Sequence, residues 1–176
     1  IYISEDGPLE SNRGLYRITG NTYAEFHNDT TMPRVVFYHK KDNRQHRSFF
    51  RIFSNIASSM SDFATFGFID IEHNGYQKLL RTKYPSPDVA VFPVGAKINE
   101  GIHLYSPTSK AVLKTLIRLC LDQPLDIIDE DDREEMDIYI KRLEVFEASA
   151  PKSQLPTLKK LKAKLEPLLP KRSEEL

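Results

Sequence analysis

The sequence predicts an α/β fold in which a mixed central sheet is flanked by helices and followed by a C-terminal helical extension. Three observations carry this expectation. Continuous apolar runs of strand length stand at Met32–His39, Ala64–Glu72 and Asp88–Gly95, as strands buried on both faces require. Between them lie segments with a helical apolar stripe, the longest running from about Asn43 to Met60. Only the hairpin-length loop AKINE separates the last run from GIHLYS at Gly101–Ser106. Three helical crossovers therefore end in an antiparallel pair.

Taken in order, residues 1–13 are polar and unpatterned and read as a leader. A strand follows at Gly14–Thr19, and Asn21 is placed to cap a short helix carrying Tyr23 and Phe26 on one face. The helix after Met32–His39 turns Phe49, Phe53, Ile56 and Met60 inward, with Phe50 and Ala57 beside them. Asn74–Tyr84 reads as a short helix between the second and third core strands. Thr108 or Ser109 then caps a helix bearing Val112, Leu113, Leu116, Ile117 and Cys120. This β-α-β-α-β-α-β-β-α order defines one domain over residues 14–122.

From 123 to 176 the character changes to that of an extension. Residues 122–135 hold eight acidic side chains and one basic. Met136, Tyr139, Ile140, Leu143 and Phe146 then form an amphipathic stripe. After the break SAPKSQLP, Leu158, Leu161, Leu165 and Leu168 form a second stripe opposite a Lys-rich face. Such stripes need apolar cover, so the first helix is expected to dock on the domain, while the second is left open.

Composition excludes several classes of function. Lys and Arg total 25, against 25 Asp and Glu; zero net charge argues against nucleic acid or anionic membrane bound by bulk electrostatics. No apolar run approaches the ~18 residues of a membrane span. A single cysteine, Cys120, excludes an internal disulfide, and its place on an apolar stripe reads as a small buried hydrophobe. The five histidines (His27, His39, His46, His73 and His103) lack ligand spacing, and no Gly-rich phosphate loop occurs. No metal, cofactor or enzymatic activity is expected.

Two stretches carry a resemblance. VVFYHKKDNRQH, from Val35 to His46, and KYPSPDVAVF, from Lys83 to Phe92, resemble the protein disulfide isomerase family of thioredoxin-fold proteins, and LYSPTSKAVLKTLI loosely matches its ending. The resemblance covers about residues 14–122 and implies a thioredoxin-like fold. At the start of the long helix the family carries C-x-x-C, whose first thiol is activated by the helix N-terminus. Here those four positions are Asp42, Asn43, Arg44 and Gln45, and the family's buried acid is Val36. An aspartate forms no mixed disulfide, so the implied module is redox-inactive. Pro87, after Ser86, aligns with the family's cis-proline beside an extended peptide, although Pro85 makes the loop tighter.

The resemblance implies a polypeptide-binding surface of His39, Lys40, Lys41, Asp42, Arg44, Ser86 and Pro87. The residues themselves support two readings of the helix start. In one, Asp42 is an N-cap with Gln45 completing a capping box, and no chemistry is needed. In the other, His39, Lys40, Lys41, Arg44, His46 and Arg47 form a cationic rim for an acidic partner. Two address signals accompany them: a glycosylation sequon at Asn28-Asp29-Thr30, and Ser173-Glu174-Glu175-Leu176, which resembles the KDEL class of retrieval signals. Together they point to the endoplasmic reticulum lumen. The expected function is that of a chaperone, co-chaperone or scaffold, within a larger isomerase-like or J-domain protein, binding extended polypeptide or a chaperone partner. A cytosolic phosducin-like scaffold for a folded partner is the alternative, and an oxidoreductase using Cys120 in trans is a third.

Overall fold

The apolar run at residues 34–39 forms a strand buried on both faces, and the sheet is laid out from it. The computed structural model describes residues 2–76, 88–107, 109–125 and 128–169. The strands are β1 (Tyr2–Ile3), β2 (Glu10–Asn12), β3 (Leu15–Ile18), β4 (Arg34–His39), β5 (Thr65–Asp70), β6 (Gly75–Tyr76), β7 (Asp88–Phe92) and β8 (Ile102–His103). Among the described residues the α-helices are α1 (Tyr23–Phe26), α2 (Arg44–Met60), α3 (Lys110–Cys120), α4 (Glu130–Ser149) and α5 (Leu155–Leu165).

Six strands form one mixed sheet in the order β2-β3-β5-β4-β7-β8. β3 and β4 both run parallel to β5, whereas β7 is antiparallel to β4 and to β8. Val35, Phe37, Phe66, Val89 and Val91 meet Phe49, Phe53 and Ile56 of α2 and Leu113, Leu116 and Ile117 of α3 in one core. Val36, Tyr38, Ile69, Ala90 and Phe92 face the other way, toward Phe26 of α1. Period-two alternation along β4 thus feeds two cores at once. The helical stripe of α2 lies inward as its sequence predicts.

The extension is part of the first core. Met136, Tyr139, Ile140 and Leu143 of α4 and Leu158, Leu161 and Leu165 of α5 join the same buried cluster. The Tyr139 hydroxyl donates to the Leu104 carbonyl, and Phe146 packs on Tyr105 with ring centroids 5.4 Å apart. Lys162 donates to Glu147 at 2.6 Å and Lys164 to Asp122 at 2.9 Å. Both helices dock in cis, including the one whose Lys-rich face left its placement open. Burying each leucine of the α5 stripe is worth roughly 1.5–3 kcal/mol, which outweighs keeping that helix free.

Four local expectations are corrected. The leader carries structure: β2 pairs with β3 across a turn in which Arg13 and Gly14 have φ of 53° and 82°, the left-handed pair that two-residue hairpins use. Thr19, rather than Asn21, caps the first helical turn, exchanging hydrogen bonds with Thr22; Asn21 instead accepts from the Tyr2 hydroxyl. The segment read as a helix from Asn74 starts with β6, which pairs with β1; the rest of it, 77–84, lies outside the described residues. β8 stops at His103, because Tyr105 and Ser106 take φ of 45° and 60° and turn the chain toward α3.

Asn74 fastens the leader to the sheet. It is fully buried, and its Oδ1 accepts from the backbone N–H groups of Glu5 and Gly20, each at 2.8 Å. Its Nδ2 donates to Glu5 Oε1 at 2.7 Å and to the Asp70 carbonyl at 2.9 Å. Gly20 permits the approach, since a Cβ there would lie 2.9 Å from the Ile3 carbonyl oxygen. Replacing Asn74 by Ala strands two backbone donors, so N74A should lower unfolding free energy by about 2 kcal/mol in urea titrations. A loss under about 0.5 kcal/mol would show that the leader is not fastened this way.

Candidate functional site

The site is built where β4 hands over to α2. The chain leaves the sheet at His39 and turns within four residues, with the Asn43 N–H donating to the Lys40 carbonyl at 2.9 Å. Asn43, in extended conformation, then caps α2: its Oδ1 accepts from the His46 N–H at 3.2 Å. This corrects the expected Asp42 cap by one residue. Gln45 becomes the second helical residue rather than the third, so the capping box with Asp42 does not form. The third place belongs to His46, whose Nδ1 accepts from the Lys40 N–H at 3.0 Å. The imidazole reaches back to the turn as a capping-box glutamate would.

That role takes His46 out of the cationic rim. Its ring is fully buried and stacks on Phe37, with centroids 5.8 Å apart and planes 19° from parallel. His39 is buried too, between Phe50 at 5.3 Å and Phe68 at 6.1 Å, and its Nε2 has no hydrogen-bond partner among the described residues. Burial, reinforced by His46 and Lys41 and only partly opposed by Asp70, pushes its pKa down to about 4. His39 is therefore neutral at pH 7. The surface that remains consists of Lys40, half-buried, and Lys41, Asp42, Arg44 and Arg47, all exposed. Lys41 lies 3.9 Å from Asp70, and Arg47 donates to the Lys41 carbonyl at 3.2 Å. Asp70 also holds His73 at 2.7 Å.

A second polar group occupies the opposite face of the same sheet end. Tyr38 is opposite Asp88 in the β4–β7 register, and its hydroxyl shares a 2.7 Å hydrogen bond with that of Tyr23. The Asp88 carboxylate meets His103 Nδ1 at 3.0 Å. Burial alone would lower the His103 pKa, but the charge and hydrogen bond of Asp88 more than offset it and raise the value. Sequence reasoning missed this cluster because its members are 15 or more residues apart and share no motif; only the register joins them.

The sequence-predicted residues His39, Lys40, Lys41, Asp42 and Arg44 are thus neighbours at one sheet end, with His39 underneath rather than on the surface. Ser86 and Pro87 lie outside the described residues, as do Ser173, Glu174, Glu175 and Leu176. Asn28 is exposed on the turn that ends α1, its N–H donating to the Glu25 carbonyl at 3.1 Å. Cys120 is fully buried, and burial pushes its thiol up to about 12, so it is not a thiolate at pH 7. Among the described residues no group of three or more His, Cys, Asp or Glu side chains could hold a metal ion. No helix among them is long and apolar enough to cross a membrane. A scan against protein-family models finds no match, and neither does a search of the curated proteins.

The buried histidines give the fold a defined acid limb. His27 is enclosed by Tyr23, Phe26 and Phe92 without a partner among the described residues for either ring nitrogen, and burial, then Arg34, pushes it down to about 4. The unfolded chain binds protons at its ordinary value near 6.5 that the folded state refuses, so stability is complete above that pH. It falls with acidification by about 1.4 kcal/mol per pH unit for each of His27 and His39. His103 has the opposite sign: its raised pKa stabilises below 6.5, and that contribution fades as pH rises through the folded value. Urea titrations between pH 7 and 5 should show His27→Leu and His39→Leu each flattening the acid loss by about half. A slope unchanged by both variants would contradict the assignment.

Proposed function

We propose that this chain is a redox-inactive, thioredoxin-like module that binds extended or unfolded polypeptide, acting as a chaperone or scaffold in the endoplasmic reticulum lumen. The observation that carries the reading is the start of α2. Where the resembled family places its reactive cysteine pair, this chain has the Asn43 cap, with Lys41, Asp42 and Arg44 exposed around it. The one cysteine is buried on α3 with its thiol protonated. A hydrogen-bonded helix start rimmed by charge offers contacts to a chain but no sulfur to exchange with it. The fold supports the same reading: three parallel strands followed by an antiparallel pair, with α2 leaving the end of β4. The exposed Asn28 sequon supports the compartment.

The module should slow aggregation of a reduced, denatured client without reducing insulin above background. Because Lys41 and Arg44 are exposed, the double variant K41Q/R44E, which puts no second carboxylate beside Asp70, should fold normally and lose suppression by about tenfold, or roughly 1.4 kcal/mol of client affinity. Suppression identical to that of the native protein would remove this surface from the function, and insulin turnover would overturn the redox-inactive assignment.

A further inference from the structure

We propose a second binding surface, independent of the reading above: the groove between the β7–β8 loop and α5 receives a peptide segment of a partner protein in which apolar residues alternate with carboxylates. The groove is shallow and open to solvent, with about 560 Å³ of space along it, room for two or three side chains rather than a large cofactor. Its loop side is apolar, formed by Pro93, Val94, Ala96 and Ile102, and Ala163 adds a small apolar side chain from α5. Val94 is 63% exposed, and Ile98 on the same loop is 46% exposed. The loop is nonetheless a built structure: Gly95 N–H donates to the Thr30 carbonyl at 2.9 Å, and Ala96 N–H to the Pro93 carbonyl at 2.9 Å.

Charge selects the occupant. The α5 wall presents Lys160 and Lys164 one helical turn apart, with the small Ala163 between them leaving the space open. Lys164 is bonded to Asp122 at 2.9 Å, whereas Lys160 is exposed and forms no ion pair among the described residues. Glu100 also lines the groove, on the loop side, where its carboxylate accepts from the Lys97 N–H at 3.0 Å and keeps its negative charge. An occupant must therefore lay apolar side chains on the Val94 side and a carboxylate on the Lys160 side. A basic segment would face Lys160 and the Lys164–Asp122 pair, and a purely acidic one would leave the apolar loop side in water.

The test uses fluorescein-labelled peptides of about ten residues on the full chain: one alternating leucine and glutamate, one alternating serine and glutamate, and one alternating leucine and lysine. The leucine–glutamate peptide should bind at least tenfold tighter than either control. K160E, which reverses the charge, and A163W, which fills the groove from an exposed position, should each weaken it at least tenfold. Both variants should keep the native melting temperature. Hydrogen exchange should slow in residues 93–102 and 155–165 when the peptide is added. Equal binding of the serine–glutamate peptide, binding untouched by both variants, protection confined to the start of α2, or no binding would each overturn the proposal.

Discussion

Burial of β4 on both faces is the constraint on which the other elements depend. Val35 and Phe37 belong to the core under α2, α3 and the extension, while Val36 and Tyr38 belong to the core under α1. Such a strand must sit inside the sheet, with β5 and β7 satisfying its backbone on both edges. The same constraint explains the site. At the end of β4 the alternation still directs His39 into one core and Tyr38 into the other, although the chain is about to reach solvent. Polar rings are thereby drawn beneath a charged surface turn.

Arg34 opens the strand in the same way. Its side chain is almost entirely covered, with the guanidinium donating to the Ala96 and Asp29 carbonyls and lying 5.3 Å over the Phe92 ring. Carbonyl oxygens and an aromatic face take the place of a carboxylate partner. The cation ties the 93–96 loop to β4, which holds Val94 out at the groove rim. Both candidate surfaces therefore hang from the two ends of one strand, Arg34 at one and His39 at the other.

Much of this was legible in the sequence because hydrophobic periodicity is strong wherever burial is complete. The runs of β4 and β5 and the stripe of α2 fall within one or two residues of where the pattern places them, while β7 stops at Phe92, three residues short of the expected Gly95. Positions decided by local hydrogen-bonding competition were not legible. Asp42 and Asn43 are both good caps, and the choice between them rests on His46 reaching the Lys40 N–H, a contact no spacing rule encodes. Thr19 outcompeted Asn21 through a reciprocal bond with Thr22. The leader lacks apolar pattern because its place is held by polar bonds to Asn74, 69 residues away from Glu5. His39 and His46, read as surface charge, proved to be core groups, and His39 is held neutral there, since sequence alone does not show desolvation.

The central claim is that the extension and the β4-centred sheet form one core. Native-state hydrogen exchange across a denaturant series tests it most directly. Amides of Val35–Phe37 in β4 and of Leu158–Leu165 in α5 should open with the same free energy, within ~1 kcal/mol, and with the same denaturant dependence as global unfolding. An α5 that opens several kcal/mol below β4, with a small dependence of its own, would contradict the account.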